Sequence, residues 1–356
     1  MRVYTPSVVV SPLVLIRRER RLPAPGDILV REGDRVEAVQ IIGQAFVPGE
    51  FRILNLAEAL GVSRRAVQRY LKVKPGQEVR RGDVLAARGG LSPRVCRAPM
   101  EGTVTGIGGG RLILEAPAQV VEVRAGCPGL VRRVIPREGV ILQVSGALIQ
   151  GAWGNGQEEF GVLRLLTDSR DKPLRARHVD ASCRGAILVA GLLNDEEALQ
   201  QAVEIQVRGI IVGGLAPELL DRALAVPFPV VTTEGIGPIP MSEPAFRLLS
   251  TYNGREAALD GRIHQGRDRR RPEIIIPLPA EPKMDALQFQ PVPLRVGDTV
   301  RIIRAPHRGR TGIVKEILPT AARGATGSHL PAAKVQVLGE EEPLVVPIFN
   351  LEVLRS

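Results

Sequence analysis

Apolar positions between residues 24 and 145 come in short runs separated by glycine-containing turns, the pattern of a compact antiparallel β-module. The pattern repeats. The stretch LVREGDRV (29–36) recurs 43 positions later as KVKPGQEV (72–79), so Gly33 matches Gly76, Val36 matches Val79 and Ile42 matches Leu85. A second pair lies 27 positions apart: EGTVTGI (101–107) matches PGLVRRV (128–134). Between the first two copies the period changes, and Leu56, Ala59, Leu60, Val67 and Leu71 recur at helical spacing. Residues 184–262 change period again. An apolar strand at 186–190 precedes a helix over 195–206 that Asn194 can cap, with Glu196 and Glu197 in its first turn. A strand at 209–213, a helix over 217–225, a strand at 228–232 and a helix over 243–252 come next. This alternation predicts a small parallel, Rossmann-like α/β domain.

A chain of 356 residues suggests two or three domains, each with its own core. Hydrophobic residues make up 44% and charged residues 24%, a balance typical of a globular, soluble chain. The apolar run 8–16 is broken by Ser11 and Pro12 and is too short to span a bilayer. Its basic cluster, Arg17, Arg18, Arg20 and Arg21, comes after the run, whereas a signal peptide has its charge first. No membrane association is expected. The three cysteines, Cys96, Cys127 and Cys183, form no CxxC pair, and the four histidines are scattered. Neither a disulfide framework nor a metal site is expected, and a cytoplasmic location fits. The net charge of +10 rests on 42 arginines and six lysines. Arginine suits phosphate and carboxylate contacts, although a GC-rich genome also enriches it. Aromatic residues are only 3%, which weakens any role needing stacking platforms.

The segment 55–71 has two readings. As a helix-turn-helix, Ala57, Gly61 and Val67 take the small, turn and apolar positions, Ser63 caps the second helix, and Arg64, Arg65, Gln68 and Arg69 face DNA. As a helical insertion in the β-module, it carries a solvated basic face. Residues 46–54 look extended and offer no supporting third helix, which favours the insertion.

In a parallel sheet, ligands bind beyond the carboxyl ends of the strands. Those ends contain Gly191, Gly213, Gly214, Thr233, Glu234 and Gly235, the candidate ligand-binding residues. Glycines there permit close backbone approach, and they equally make tight turns. No GxGxxG or GxxxxGK[ST] motif comes after a strand, and no Ser/His/Asp or Cys/His set is readable. Glu234 stands alone as a candidate base, and Cys183 is expected to pack. No catalytic residue and no cofactor is assigned. The segment 150–161 carries four glycines and Trp153, which is expected to anchor an inter-domain contact.

Residues 262–315 hold 12 Lys and Arg against five acids, a concentration of positive charge. Within them, LRVGDTVRIIRAPHRGRTGIVKEI (294–317) closely resembles the KOW motif of NusG-type elongation factors and ribosomal proteins. The later runs AKVQVL (333–338) and EPLVVPIFNLEVL (342–354) fit the return strands of that barrel, and VPIFNLEVL matches its usual ending. Ala305 departs from the motif's usual glycine. The resemblance implies an SH3-like β-barrel whose tip contacts RNA or docks a protein, with Arg304, His307, Arg308 and Arg310 as the candidate nucleic-acid-binding residues.

VKPGQEVRRGDVLAAR (73–88) together with APMEGTVTGI (98–107) resembles the barrel-sandwich hybrid of biotinyl and lipoyl carrier domains. Such domains present a lysine at an exposed hairpin tip. The corresponding stretch is placed at 97–102 and has no lysine, so covalent biotin or lipoate is not expected. The glycine-rich loop with TTEGIGPIPMSEPAF (232–246) and RPEIIIPLP (271–279) resembles an uncharacterised bacterial family, which supports the architecture alone.

The chain thus reads as a multi-domain, β-rich protein. An N-terminal segment (1–23) precedes a barrel-sandwich hybrid (24–149) with a helical insertion (55–71). After it come a Gly-rich connection (150–183), an α/β domain (184–262), a basic Pro-rich linker (263–290) and a KOW SH3-like barrel (291–356). The expected function is non-enzymatic binding of RNA or a ribonucleoprotein or transcription machine through the KOW end. A protein-interaction scaffold, and a ligand sensor or enzyme using the strand ends, are the alternatives.

Overall fold

Two long strands, Ser7–Arg21 and Gly139–Gln150, run antiparallel from Val10 against Ile149 to Arg21 against Gly139 and tie the modules together. The computed structural model describes residues 7–90, 92–263, 270–279, 293–304, 307, 309–323, 329–337 and 340–355. The fold is β-rich, and among the described residues seventeen strands from the N-terminal, α/β and C-terminal parts join into one continuous sheet, while the strands between 51 and 115 form sheets of their own. The apolar run 8–16 belongs to the first of these strands and buries Val10, Val14 and Ile16.

The two sequence repeats form one nested duplication. An outer β-unit contains the strands Gly26–Ile28, Arg35–Val36, Ile41–Val47, Gln119–Arg124 and Gly129–Ile135. An inserted β-unit lies between its third and fourth strands, with Glu78–Val79, Val84–Arg88, Arg94–Arg97, Gly102–Gly108 and Arg111–Glu115. Equivalent residues make equivalent bonds. Gly33 N–H donates to Val131 O at 2.8 Å, and Gly76 N–H to Val104 O at 2.7 Å. Val36 pairs with Gly129, and Val79 with Gly102. Each unit has its own core, around Ile42, Val131 and Leu142 in one and Leu85, Val104 and Leu112 in the other. Val84–Arg88 and Arg94–Arg97 form a hairpin of the inserted unit, with Arg88 opposite Arg94, so the chain turns between them and not at 97–102 as expected. Arg97 ends a strand, and buried Ala98 accepts a bond from Gly82 N–H. The intervening sequence, GGLSP (89–93), likewise has no lysine, and its Leu91 lies outside the described residues.

In the segment 55–71, helix α1 (Leu56–Leu60) is capped by the Asn55 side chain and ended by Gly61 at φ 63°. The next element is a single 3-10 turn, Val67–Tyr70, not a recognition helix. One such turn is too short to fill a major groove. Leu56, Leu60 and Val67 complete the inserted unit's core, and Arg64, Arg65, Gln68 and Arg69 remain exposed.

In the α/β region, Glu158–Leu165, Ala186–Val189, Gly209–Leu215 and Val230–Ile236 lie side by side in parallel, in chain order. Helices α2 (Glu196–Ile205) and α3 (Leu220–Ala225) pack on one face with Leu188, Ile210 and Val212. Helix α4 (Glu243–Thr251) packs on the other with Ile187, Val189 and Ile211. Both faces are covered, so the two inner strands, Ala186–Val189 and Gly209–Leu215, are apolar throughout. The spatial order never reverses, so the switch-point crevice at which a Rossmann sheet holds its ligand is not formed by these strands. The sheet also exceeds 184–262. Glu158–Leu165 belongs to it, Trp153–Gly154 pairs with Val230–Ile236, and the partly buried Trp153 packs on the α/β core. Glu273–Pro277, from the stretch expected to be a linker, is a core strand between Glu256–Asp260 and Gly139–Gln150. Its Ile274, Ile275 and Ile276 are buried.

The C-terminal module pairs Leu351–Arg355, Thr299–Ile302, Thr311–Arg323, His329–Val337 and Leu344–Pro347 in that order around Val300, Val314, Val335 and Leu351. Its last strand also runs parallel to Ser7–Val9, which fastens it to the central sheet.

Candidate functional site

The strand ends of the α/β sheet and the turn of the C-terminal module meet at one junction. Arg301 sits on Thr299–Ile302 between two core residues, Val300 and Ile302, and its own side chain points away from that core toward the α/β sheet. It is 4% exposed, and its partners Glu234 and Glu352 are 7% and 2% exposed, so the cluster is desolvated. The Arg301 guanidinium forms ion pairs with both carboxylates. Its Nη1 also donates to the Thr233 carbonyl at 3.0 Å. Glu352 takes a second ion pair from Arg271, and Glu234 accepts the Ser242 N–H at 2.9 Å. Two arginines and two glutamates balance, as buried charges must. Burial pulls the Arg301 pKa down, but Glu234 and Glu352 outweigh it and hold the group above its ordinary value.

The candidate ligand-binding glycines lie against the chain itself. A β-carbon on Gly213 would strike the Met241 nitrogen, and one on Gly214 the Gly237 carbonyl. On Gly191 it would strike the Arg170 and Lys172 carbonyls. Gly235, at φ 110°, turns the strand end beside Glu234. The Thr232 and Thr233 hydroxyls are buried with no hydrogen-bond partner among the described residues. Gly213, Gly214, Thr233, Glu234 and Gly235 are thus brought together, beneath the 237–241 loop and Arg301.

On the turn after Thr299–Ile302, Arg304 is exposed and His307 half-buried. Arg310 pairs with Glu340 at 2.6 Å, and Arg308 lies outside the described residues. Gly309 stands at φ 83° and packs directly on the Ile239 side chain. The turn therefore abuts the loop that covers Gly213 and Gly214.

Sequence reasoning missed Arg301, Arg271 and Glu352. The one signal was a charged residue inside the apolar run 300–303. It also missed a cleft of about 270 Å³ between the outer β-unit and the α/β sheet. There Arg20 grips Glu158 through two bonds of 2.6 and 2.9 Å, and Arg18 Nε donates to Glu273 at 2.6 Å. Cys127 lines this cleft. Burial pushes its thiol up to about 12 despite the neighbouring Arg18 and Arg20. Among the described residues, no group of three His, Cys, Asp or Glu could hold a metal ion, and no helix is long and apolar enough to cross a membrane.

The family model of the KOW motif matches residues 296–323, which span Thr299–Ile302, the turn and the strand that begins at Thr311. The motif is common in RNA-binding and ribosome-associated proteins. No curated protein matches the chain.

Proposed function

We propose that this chain is a non-enzymatic binding protein of the cytoplasm that contacts RNA or a ribonucleoprotein through its KOW module. We read that module as an SH3-like barrel and the nested β-units as barrel-sandwich hybrids without a carrier lysine. The observation that carries the reading is the KOW match at 296–323, with Arg304 exposed on its turn. The Arg310–Glu340 pair is more than a third exposed on both sides, and such pairs contribute about 0–1 kcal/mol, so a phosphate can replace the carboxylate. We take Thr233 and Glu234 as the seat of the KOW module, since a ligand at the strand ends would compete with Arg301.

Titration of labelled RNA across salt tests this. Arg304→Ala and Arg310→Ala together should lower the slope of log K against log salt by about 1.4–1.8, with stability unchanged. An unchanged slope would remove the turn from the interface. The protein-docking reading would then lead. Its support is an apolar groove of about 640 Å³ between the module and α4, where Ile313 is 45% exposed.

A further inference from the structure

The nested duplication supplies an internal control for charge. The outer unit (24–47 and 119–135) carries five Lys and Arg and five Asp and Glu. The inserted unit (51–115) carries 12 against five. Positive charge is therefore not concentrated only at the C-terminal end. Every cation of the inserted unit except Arg88 is exposed. Among the described residues, none of the 12 forms an ion pair, whereas arginines elsewhere in the chain do so repeatedly.

The cations also stand where a fold would not place them. Arg88 and Arg94 are directly opposite across the strand pair. Like charges in that position are destabilising. Arg88 donates to the Gly61 and Ser92 carbonyls at 3.1 and 3.0 Å, and the Arg94 guanidinium lies over Gly61. Arg64, three residues beyond Gly61, packs on Gly110. At the equivalent positions the outer unit pairs Ala45 with Val121. The same backbone thus forms without arginines there, and among the described residues no carboxylate pairs with either of them.

We propose that the inserted β-unit carries a second polyanion site, centred on Arg64, Arg88 and Arg94, that binds the phosphodiester backbone of a nucleic acid. Guanidinium groups match phosphate oxygens in bidentate fashion. Exposed arginines with few aromatic neighbours hold a backbone without reading bases. The site stands on a different module from the KOW turn and does not depend on it.

The test uses the full chain and three labelled probes of about 20 nucleotides: single-stranded RNA, duplex RNA and duplex DNA. Anisotropy is followed from about 50 to about 200 mM salt. Arg88→Ala with Arg94→Val installs the outer unit's own pair, and Arg64→Gln is added to it. The triple variant should melt no lower than the wild type, and its salt slope should fall by about 2–3 on at least one probe. If it melts lower, Arg94→Glu alone should still reduce binding at least tenfold. The probe that responds identifies the nucleic acid. The proposal is overturned if these variants bind all three probes as the wild type does. That result, with binding lost in the Arg304→Ala, Arg310→Ala variant, would leave the KOW reading standing alone. Equal loss of binding to vesicles of anionic lipid, with no nucleic-acid probe bound, would also overturn it.

Discussion

Arg301 and Glu234 stand 67 positions apart in the chain and close a buried ion pair that joins the KOW module to the end of an α/β strand. Replacing Arg301 with Met should leave Glu234 without a counter-charge, while Glu352 keeps its pair with Arg271. A loss of about 3–5 kcal/mol is expected. Adding Glu234→Gln to Arg301→Met should restore much of it, since Glu352 remains balanced by Arg271. Denaturant unfolding measures both. The raised pKa of Arg301 means that, with both carboxylates ionised, its stabilisation holds up to the ordinary arginine value and is lost on the alkaline side only as pH climbs through the raised one.

Gly309 and Ile239 form the second contact of this junction. Gly309→Ala places a side chain at φ 83° and drives it into Ile239. The expected loss is about 1–3 kcal/mol. Ile239→Ala in the same chain should relieve the steric part but not the backbone part. A double-mutant cycle on thermal melts separates the two, and strict additivity would mean the residues do not touch.

Gly214→Ala tests whether the strand end is closed by the 237–241 loop. Its β-carbon would meet the Gly237 carbonyl. Overpacking of this kind costs roughly 1–3 kcal/mol. Melting unchanged from the wild type would show open space at Gly214, and a screen of nucleotides and phosphosugars would then be the next measurement.

The cysteines should differ in reactivity. With iodoacetamide at about pH 8, only half-buried Cys96 should react in the native protein, and slowly, because burial raises its pKa. Buried Cys127 and Cys183 should react only after denaturation. Intact-mass analysis counts the adducts. The Cys127 thiol, pushed up to about 12, stays neutral in the fold while the unfolded thiol ionises nearer its ordinary value of 9.0. Stability should therefore fall as pH rises from about 9 toward 12, and Cys127→Ser should flatten that part of the curve.

Much of the local structure was legible along the chain. The Gly-Asp turns at 33–34, 82–83 and 297–298 are set by neighbouring residues: the aspartate side chain accepts the N–H of the residue three before it, at 2.7–2.8 Å. The switch from alternating to helical period marked α2 to α4, and the repeats at 43 and 27 positions were visible because equivalent turns need equivalent residues. Short-range spacing carries all of this information.

Tertiary structure decided what those pieces meet. No local pattern says that the second repeat lies inside a hairpin of the first, that Glu273–Pro277 is a core strand, or that Ser7–Val9 pairs with Val353–Arg355. A period of two places Arg301 on the face of its strand away from Val300 and Ile302, and there its reach ends. That the α/β sheet covers this face, burying the charge and supplying Glu234 to balance it, comes only from long-range packing, because desolvation depends on the neighbours that the fold brings in and not on the residues beside it in the chain.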